Sequence, residues 1–306
     1  MKKYVVVATK GRPVETRVLL DMLAAQQVLP DVVHIVGASV SDLPEIDGHA
    51  LLALTRVEMR FARAPGLTIQ RNVAIDAILK DAPDEASGER WFACFFDDDF
   101  RPHPGWLRNC EALFEAHADV IGMTGQVLAD GVKSGGVSEE DALRYLSGEK
   151  PRELHWASGD DRRDAGCAYG CNMAFVDRVF RAHRFDEALP LYGWQEDYDF
   201  TTRARELGSV VYEPTCLGVH LGVRSGRTSG VKFGYSQVAN PLYLARKHTM
   251  QRYHACRYIT RHLLSNLYHS LRGHPLFDYR GRLKGNLLAL ADIVRGVNHP
   301  LRILDL

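Results

Sequence analysis

The sequence has few features that would place the chain outside the class of globular cytoplasmic proteins. Among its 306 residues, no apolar run approaches the length of about 18 residues that spans a bilayer. After Met1 to Lys3 the apolar stretch runs only from Tyr4 to Ala8, which is too short for the hydrophobic region of a signal peptide. The six cysteines show no paired Cys-x-x-Cys spacing of the zinc-binding kind. These absences predict a cytoplasmic protein whose thiols are reduced and packed.

The chain also lacks net charge, because 38 basic residues balance 38 acidic ones. The balance does not hold locally. From His220 to the end, fourteen Lys and Arg stand against three Asp, so this tail carries an excess of eleven positive charges. The excess fits a solvated basic helical face, or a surface that approaches phosphates or an anionic membrane leaflet. No nucleic-acid-binding module is recognisable, so nucleic acid is not an expected partner.

Short apolar runs alternate with amphipathic helical segments through the first two thirds of the chain. The predicted strands are residues 3–8, 31–37, 91–96, 121–128 and 209–212, and the predicted helices are residues 14–27, 67–80 and 198–207. This alternation predicts an α/β fold with a mostly parallel sheet. The polar, Gly-rich residues 129–165 are interpreted as an insertion that is mobile or faces substrate. From about Ser236 onward the pattern is almost wholly helical.

Three adjacent aspartates, Asp97, Asp98 and Asp99, follow a strongly apolar strand. At about 4 Å, like charges cost about 1 kcal/mol in water and about 4 kcal/mol at an effective dielectric of about 20. Mg²⁺ relieves such repulsion, since it binds carboxylate oxygens together with substrate phosphates. Ligands gather at the carboxyl ends of strands, where the loop from Thr9 to Pro13 is also expected. The pattern favours a divalent-metal site, and a solvated acidic turn is the alternative.

Two further groups are candidates for chemistry. Glu196 and Asp197 begin a predicted helix, where acidic residues stabilise the positive end of the helix dipole. A carboxylate in that place can also act as a general base toward a hydroxyl group. His220 follows the last predicted strand, where it is either structural or a neutral imidazole that completes a carboxylate metal site.

Six segments carry a resemblance to a known family. In chain order they are ATKGRP at 8–13, GLTIQRNVAIDAI at 66–78, WFACFFDDDFRPHPGWL at 91–107, GCNMAF at 170–175, FDEALPLYGWQEDYDF at 185–200 and GVHLG at 218–222. Together they resemble the family 2 glycosyltransferases of the GT-A fold. The segment at 281–296, GRLKGNLLALADIVRG, resembles the tails of bacterial members. The resemblance implies a nucleotide-sugar-binding and catalytic domain over residues 1–234, with a Rossmann-like, mixed and mostly parallel sheet flanked by helices. It implies a helical C-terminal extension over residues 235–306.

The resemblance also implies roles by position. Asp99 and His220 would ligate a divalent cation, Mn²⁺ or Mg²⁺, and Asp197 would be the catalytic base with Glu196 beside it. The positions implied for the nucleotide-sugar donor are Thr9, Arg12, Arg71, Asn72, Asp97, Asp98, Gly170 and Asn172, with Arg224 and Arg227 either near the diphosphate or in a solvated basic loop.

Two departures from the family pattern bear on function. Many members carry an acid that reads uracil directly after the second strand, whereas residues 37–42 read GASVSD here. The identity of the base is therefore not indicated. The Gln-x-x-Arg-Trp element of processive synthases is also missing from the sequence, which favours single additions.

The expected function is metal-dependent, inverting transfer of a sugar, a hexose in the simplest case, from a nucleotide-diphosphate sugar. The acceptor would be a hydroxyl of a glycan or a lipid-linked molecule in bacterial surface glycan or polysaccharide synthesis. A nucleotidyltransferase acting on a sugar phosphate is an alternative, but Thr9 to Arg12 only faintly resembles the Gly-rich phosphate loop it would need. A non-catalytic nucleotide-sugar-binding module is a further alternative, and it would be expected to have lost carboxylates that are present here.

The basic tail has two interpretations of its own. Around residues 243–267, Arg and Lys alternate with aromatic residues and leucines. A helix packed on the catalytic domain gives this pattern, and so does a basic amphipathic helix that lies on the inner face of a membrane. The second interpretation would suit a lipid-linked acceptor.

Overall fold

The computed structural model describes residues 1–225 and 229–306. Over these residues the strands are β1 Lys2–Ala8, β2 Val32–Gly37, β3 Arg56–Phe61, β4 Trp91–Asp97, β5 Phe100–Pro102, β6 Val120–Asp130, β7 Arg163–Asp164, β8 Asn172–Val176 and β9 Ser209–His220. They form one sheet in the order β3-β2-β1-β4-β8-β6-β9-β5, with β7 paired to β9 beside this path.

Helices flank the sheet and make up the C-terminal part of the chain. They are α1 Pro13–Ala24, α2 Leu67–Asp81, α3 Trp106–Ala116, α4 Gly131–Ser134, α5 Glu139–Leu146, α6 Asp177–Ala182, α7 Glu196–Ala204, α8 Gly230–Arg246, α9 Arg252–Arg272 and α10 Tyr279–Val294. The predicted α/β fold with a mixed sheet and a C-terminal helical region is confirmed.

The two halves of the sheet differ in strand direction. Strands β3, β2, β1 and β4 are mutually parallel, as expected where helices cross over between strands. Beyond β4, strand β8 runs antiparallel to both of its neighbours, and β5 and β7 run antiparallel to β9. Strands β6 and β9 are parallel to each other. Parallel pairing therefore dominates the N-terminal half, and the other half is mixed.

Strand β4 lies at the centre of the core. The side chains from Trp91 to Phe96 are all buried, since helices cover both faces of the sheet. The ring centroids of Phe96 and Trp106 are 4.8 Å apart in an edge-to-face arrangement, within the range that stabilises aromatic pairs. This rigid strand positions the aspartates that follow it.

Strands β3, β5, β7 and β8 are not among the predicted strands, and β6 and β9 extend further than predicted. Strand β3, which was not predicted, is polar and half-exposed because it is at the edge of the sheet and pairs only with β2 in the described chain. Strand β9 extends to His220 instead of ending at Tyr212. Its pairing with β6 passes from Glu213 opposite Gly125 to Leu217 opposite Gln126. This bulge accommodates Pro214, which has no N–H for the ladder.

The segment interpreted as an insertion contains α4, α5 and β7 and packs against the sheet. Arg101 of β5, whose side chain is fully buried, bonds with the carboxylate of Glu139 in α5 at 2.6 Å. The same guanidinium donates to the backbone oxygen of Asp98 at 3.0 Å. The insertion is thereby tied to the aspartate turn.

The C-terminal helices pack on one another and on the part of the chain that precedes them. Helices α8 and α10 pack so closely that a Cβ added at Gly285 would lie 2.0 Å from the backbone oxygen of Val231. Lys247, just after α8, bonds with Asp199 of α7 at 2.9 Å. The predicted boundary after residue 234 lies within α8, and the division into two domains stays a prediction. Within the described ranges, no helix has both the length and the apolar character needed to cross a bilayer.

Candidate functional site

The carboxyl ends of β1, β4 and β9 meet at one edge of the sheet. Asp97 is beside Ala8 in the register of β4 and β1, so the loop that begins at Thr9 starts next to it. Phe100 of β5 pairs with His220 of β9, which brings the aspartate turn against the end of β9. The predicted convergence at this edge is present in the structure.

Asp97, Asp99 and His220 form a group that can hold a metal ion, which we call the metal group. One ligand atom from each lies within 4.8 Å of the others. His220 Nε2 is 3.3 Å from Asp99 Oδ1 and 4.0 Å from Asp97 Oδ2. Asp99 Oδ1 is buried and makes no hydrogen bond of ordinary geometry. Two carboxylates and an imidazole are donors that suit Mn²⁺, and such an ion would supply a partner for the orphaned oxygen, so the residues fit a divalent cation.

Asp98 faces away from this group toward the first loop. It accepts hydrogen bonds of 2.8 Å from both the Thr9 hydroxyl and the Arg12 guanidinium. Burial raises the pKa of Asp98 to about 7, against the opposing charge of Arg12. Arg12 also lies 3.4 Å from Asp99 Oδ2 and donates to the backbone oxygen of Val223 at 2.8 Å. The first loop is therefore fixed to the aspartate turn by charge.

His220 is held from its far side by Asp130, at the end of β6. Asp130 Oδ1 is 3.1 Å from His220 Nδ1. Asp130 Oδ2 accepts from the Tyr169 hydroxyl at 2.9 Å and lies 3.2 Å from His155 Nε2. We infer from these contacts that Nδ1 carries the proton, which leaves Nε2 directed at Asp97 and Asp99. A carboxylate behind a metal-binding histidine is the arrangement that fixes its ring and tautomer.

The same contacts set the charges of this group. Burial disfavours the His220 imidazolium, but Asp99 and Asp130 outweigh it and hold the pKa of His220 well above its usual value. Burial likewise disfavours the ionised Asp99, but His220 and Arg12 hold its pKa below the usual range. A cation that binds here would replace the proton on His220 Nε2 as the partner of Asp97 and Asp99, and the proton on Nδ1 would stay with Asp130.

Asp130 and its neighbours are not among the site residues predicted from the sequence. The predicted strand ends at Leu128, so Asp130 and His155 fall within the predicted insertion. An acid at the carboxyl end of a strand was the signal that could have identified it, as it did for Asp97.

Arg71 connects the metal group to the start of α7. Its side chain, which is only 2% exposed, bonds with Glu196 Oε1 at 2.5 Å and Asp97 Oδ1 at 3.2 Å. It also donates to the backbone oxygen of Gly170 at 2.8 Å. Burial raises the pKa of Glu196 to about 8, although the charge of Arg71 opposes the shift. Glu196 Oε2 is buried without a hydrogen-bond partner.

Asp197 is held by backbone groups. Its Oδ2 accepts from the N–H of Gly170 at 3.1 Å, and its Oδ1 accepts from the N–H of Tyr198 at 2.8 Å. Burial raises the pKa of Asp197, and these two N–H groups oppose the shift. A Cβ at position 170 would lie 3.0 Å from Glu196 Oε1 and 3.4 Å from Asp197 Oδ2, so a larger residue here would press on both carboxylates.

The turn before α7 is strained. Leu191 and Gln195 have φ angles of 57° and 72°, in the left-handed region that non-glycine residues rarely adopt. Gly193, between them, has a φ of 62°. Strained backbone of this kind persists where surrounding contacts hold it, and it is common at functional sites. Here it directs Glu196 and Asp197 toward Gly170.

The remaining predicted residues have other contacts. The Asn72 carboxamide bonds with the backbone N–H and oxygen of Phe185, both at 2.9 Å. The Asn172 side-chain oxygen accepts from the N–H of Gly125 at 2.6 Å. Arg224 lies over the ring of Phe277 at 5.5 Å. Arg227 is outside the described residues.

The segment after β2 has no acid directly after the strand. An acid further along, Asp42, holds this loop in place. The Asp42 carboxylate accepts from the N–H groups of Ala38, Ser39 and Gly11 at 2.8 to 2.9 Å. Its oxygens thus hold the second loop against the first.

Comparison with known proteins gives a match in structure. No protein-family model and no curated protein sequence matches the chain. A solved structure of S. aureus TarS, residues 1–349, matches with a TM-score of 0.59 and 16% identity, covering 99% of this chain and 82% of that one. The chain has the GT-A fold.

Two further structures show this GT-A fold. S. aureus TarS 1–349 in complex with UDP-GlcNAc matches with a TM-score of 0.56 and 17% identity, covering 99% of this chain and 83% of that one. The mannosyltransferase PcManGT from Pyrobaculum calidifontis, in complex with GDP-Man and Mn²⁺, matches with a TM-score of 0.53 and 14% identity, covering 97% and 87%. Against a longer TarS structure, the chain spans 40% of the matched chain's length. At these identities the likeness concerns the fold.

Proposed function

We propose that this protein is a metal-dependent glycosyltransferase that moves a sugar from a nucleotide-diphosphate sugar to a hydroxyl acceptor with inversion. The convergence of Asp97, Asp99 and His220 at one sheet edge of a GT-A fold carries the proposal. The matched structures with UDP-GlcNAc and with GDP-Man and Mn²⁺ support the substrate class. We extend the proposal to hexosyl transfer onto a glycan or lipid-linked acceptor in bacterial surface glycan synthesis.

Asp97, Asp99 and His220 would hold the cation, Mn²⁺ or Mg²⁺. When bound, such an ion neutralises charge that develops on the leaving nucleoside diphosphate. Arg12, fixed by Asp98, would face the nucleotide from the first loop. The full set proposed to surround the donor is Thr9, Arg12, Arg71, Asn72, Asp97, Asp98, Gly170, Asn172, Arg224 and Arg227.

Asp197 would take the proton of the acceptor hydroxyl. Two backbone N–H groups fix its carboxylate, and burial raises its pKa, which makes it a stronger base. General-base assistance of this kind contributes about 10² to 10⁴ in rate. Glu196 is less suited to this step, because at pH 7 a carboxyl with a pKa of about 8 is mostly protonated and this one is bonded to Arg71. We therefore assign Glu196 to positioning Arg71.

Two substitutions test these assignments. Asp197→Asn should keep binding of sugar nucleotide and Mn²⁺ but lose transfer by about 10²-fold or more. Asp99→Ala should weaken binding of the nucleoside diphosphate only when Mn²⁺ is present. Binding is measured by calorimetry with UDP- and GDP-sugars, and turnover by release of nucleoside diphosphate. The exposed carboxylate of Asp161, changed to Asn, is the control and should alter neither quantity.

The products separate this proposal from the alternatives. Pyrophosphate released from a nucleoside triphosphate and a sugar phosphate would identify a nucleotidyltransferase. Tight binding of sugar nucleotide without turnover on any glycan, lipid-linked or water acceptor would indicate a binding module. Near-normal turnover in Asp197→Asn would remove Asp197 from the role of base.

A further inference from the structure

Helix α9 exposes most of its length. Of its 21 residues, Ala255, Asn266 and Ser270 are the buried ones. Leu264, Leu267 and Leu271 are 62%, 47% and 79% exposed. Their spacing of three and four residues places them on one face of the helix. A helix that exposes a continuous row of leucines has an unburied apolar side, which marks a site of interaction.

The apolar row continues onto α10. A groove of about 580 Å³ lies between the two helices, and it is lined by Ser270, Leu271, Arg280, Leu283, Lys284, Leu287 and Leu288. Leu287, on the α10 side, is 57% exposed. We name Leu264, Leu267, Leu271 and Leu287 the α9–α10 face.

The surroundings of the α9–α10 face are basic. Helix α9 carries Arg252, Arg257, Arg261 and Arg272 and has no acidic residue, and α10 carries Arg280, Arg282 and Lys284. The two acids near α10 are occupied within the fold. Asp278 accepts from the N–H of Gly281 at the start of α10, and the buried Asp292 accepts from the Tyr235 hydroxyl.

We propose that the α9–α10 face docks on the surface of an anionic phospholipid bilayer. Leucines exposed to this degree are buried when they enter the acyl boundary, and the surrounding Arg and Lys then lie among anionic headgroups. A second copy of the chain fits less well, since a two-fold contact would place these basic rims against each other. A nucleic acid would satisfy the charges but leave the leucines in water. The proposal does not depend on the chemistry assigned to Asp197.

The test uses the full chain and vesicles of two compositions, phosphatidylcholine alone and phosphatidylcholine with phosphatidylglycerol. Co-sedimentation at low salt should be strong with the anionic vesicles and weak with the neutral ones. It should fall in about 0.5 M NaCl, where charge is screened within about 4 Å. Equal binding to both compositions, or binding to neither, would overturn the proposal.

Three variants locate the surface. Leu267→Ser with Leu271→Ser should lower partition to anionic vesicles about tenfold or more, because two buried leucines are lost. Arg280→Glu with Lys284→Glu should lower it by a similar or larger factor, since each cation near the surface contributes about fivefold. Leu52→Ser with Leu54→Ser, at leucines 42% and 49% exposed on the catalytic part, is the matched control and should bind as the parent chain does.

Folding and self-association are measured on the same samples. The substituted positions on α9 and α10 are exposed, so thermal unfolding should change little between variants. A leucine pair that binds vesicles like the parent would exclude the α9–α10 face. A dimer in solution that the leucine pair disperses, with no vesicle binding by the parent, would show a second copy as the occupant and refute the bilayer.

Discussion

Asp130 provides a sharp test of how the metal group is built. In Asp130→Asn the side chain keeps its size but loses one acceptor. In the parent chain, Asp130 Oδ1 faces His220 Nδ1 at 3.1 Å, and Oδ2 accepts from the Tyr169 hydroxyl at 2.9 Å. An amide has one oxygen and one NH₂ group. If the oxygen faces His220 Nδ1, the NH₂ group faces the Tyr169 hydroxyl, which must turn to accept, and His155 Nε2, which lies 3.2 Å from Oδ2. In either orientation the neutral amide holds the His220 ring less firmly than the carboxylate does.

The expected loss is one of metal affinity. Removing the carboxylate behind a metal-binding histidine costs about 10- to 100-fold in affinity, or about 1.4 to 2.7 kcal/mol. The assay is titration of Mn²⁺ followed by the electron paramagnetic resonance signal of the free ion. One alkaline pH is used for all proteins, so that protons compete little for His220.

Tyr169→Phe is the matched control. It removes one hydrogen bond to Asp130 Oδ2 and leaves both carboxylate oxygens in place, so its loss should be smaller, about two- to tenfold. If Asp130→Asn binds Mn²⁺ within about twofold of the parent chain, His220 is not held for the metal in this way. The same conclusion follows if Tyr169→Phe loses more affinity than Asp130→Asn.

Two further predictions concern stability. The pKa of Glu196 is raised in the folded state to about 8 from 4.5, so between these pH values the folded state binds a proton that the unfolded state has lost. This group therefore makes the unfolding free energy fall as pH rises through that range, by at most about 1.4 kcal/mol per pH unit. Urea unfolding at several pH values gives the unfolding free energy as a function of pH, and Glu196→Gln should lack the part of its fall that Glu196 causes. An unchanged pH dependence of the unfolding free energy would contradict the shift. Lys247→Met removes a cation 2.9 Å from the fully buried carboxylate of Asp199. Because Arg203 still pairs with Asp199, the carboxylate keeps a counter-ion, and the unfolding free energy should fall by about 1.5 to 3 kcal/mol. Lys247→Arg keeps the positive charge and is the comparison, and equal stability of all three proteins would refute the account.

Local pattern was enough to predict β1, β2, β4 and most of β6, although it did not predict β8, which lies between β4 and β6. The apolar run at β4 has few alternatives to a buried strand, and the position of Asp97 at its end follows from the direction of the chain. Strand β3 was missed because an edge strand needs no continuous apolar side. The extent of β9 was missed because the bulge around Pro214 is permitted by pairing with β6, which sequence does not display.

Residues of the metal group were predicted from the sequence, but the contacts that hold them in place were not. The resemblance placed Asp99 and His220 together, and the turn after β4 adds Asp97 to them. The bond from Asp130 to His220 joins residues ninety positions apart, so neither spacing nor propensity could reveal it. The same holds for Arg71, whose partner Glu196 lies 125 positions away.

The contacts between α8 and the residues around the start of α7 determine what can be removed from this protein. Asn240 of α8 donates to the backbone oxygen of Trp194 at 2.8 Å, two residues before Glu196, and Lys247 reaches Asp199, two residues after Asp197. The C-terminal helices therefore brace both sides of the short segment that presents the two carboxylates. A chain shortened at residue 234 to favour crystallisation would keep every residue of the metal group and still lose this brace. Under the proposed function, we expect such a shortened chain to bind the cation and lose turnover, and this loss would wrongly count against that function.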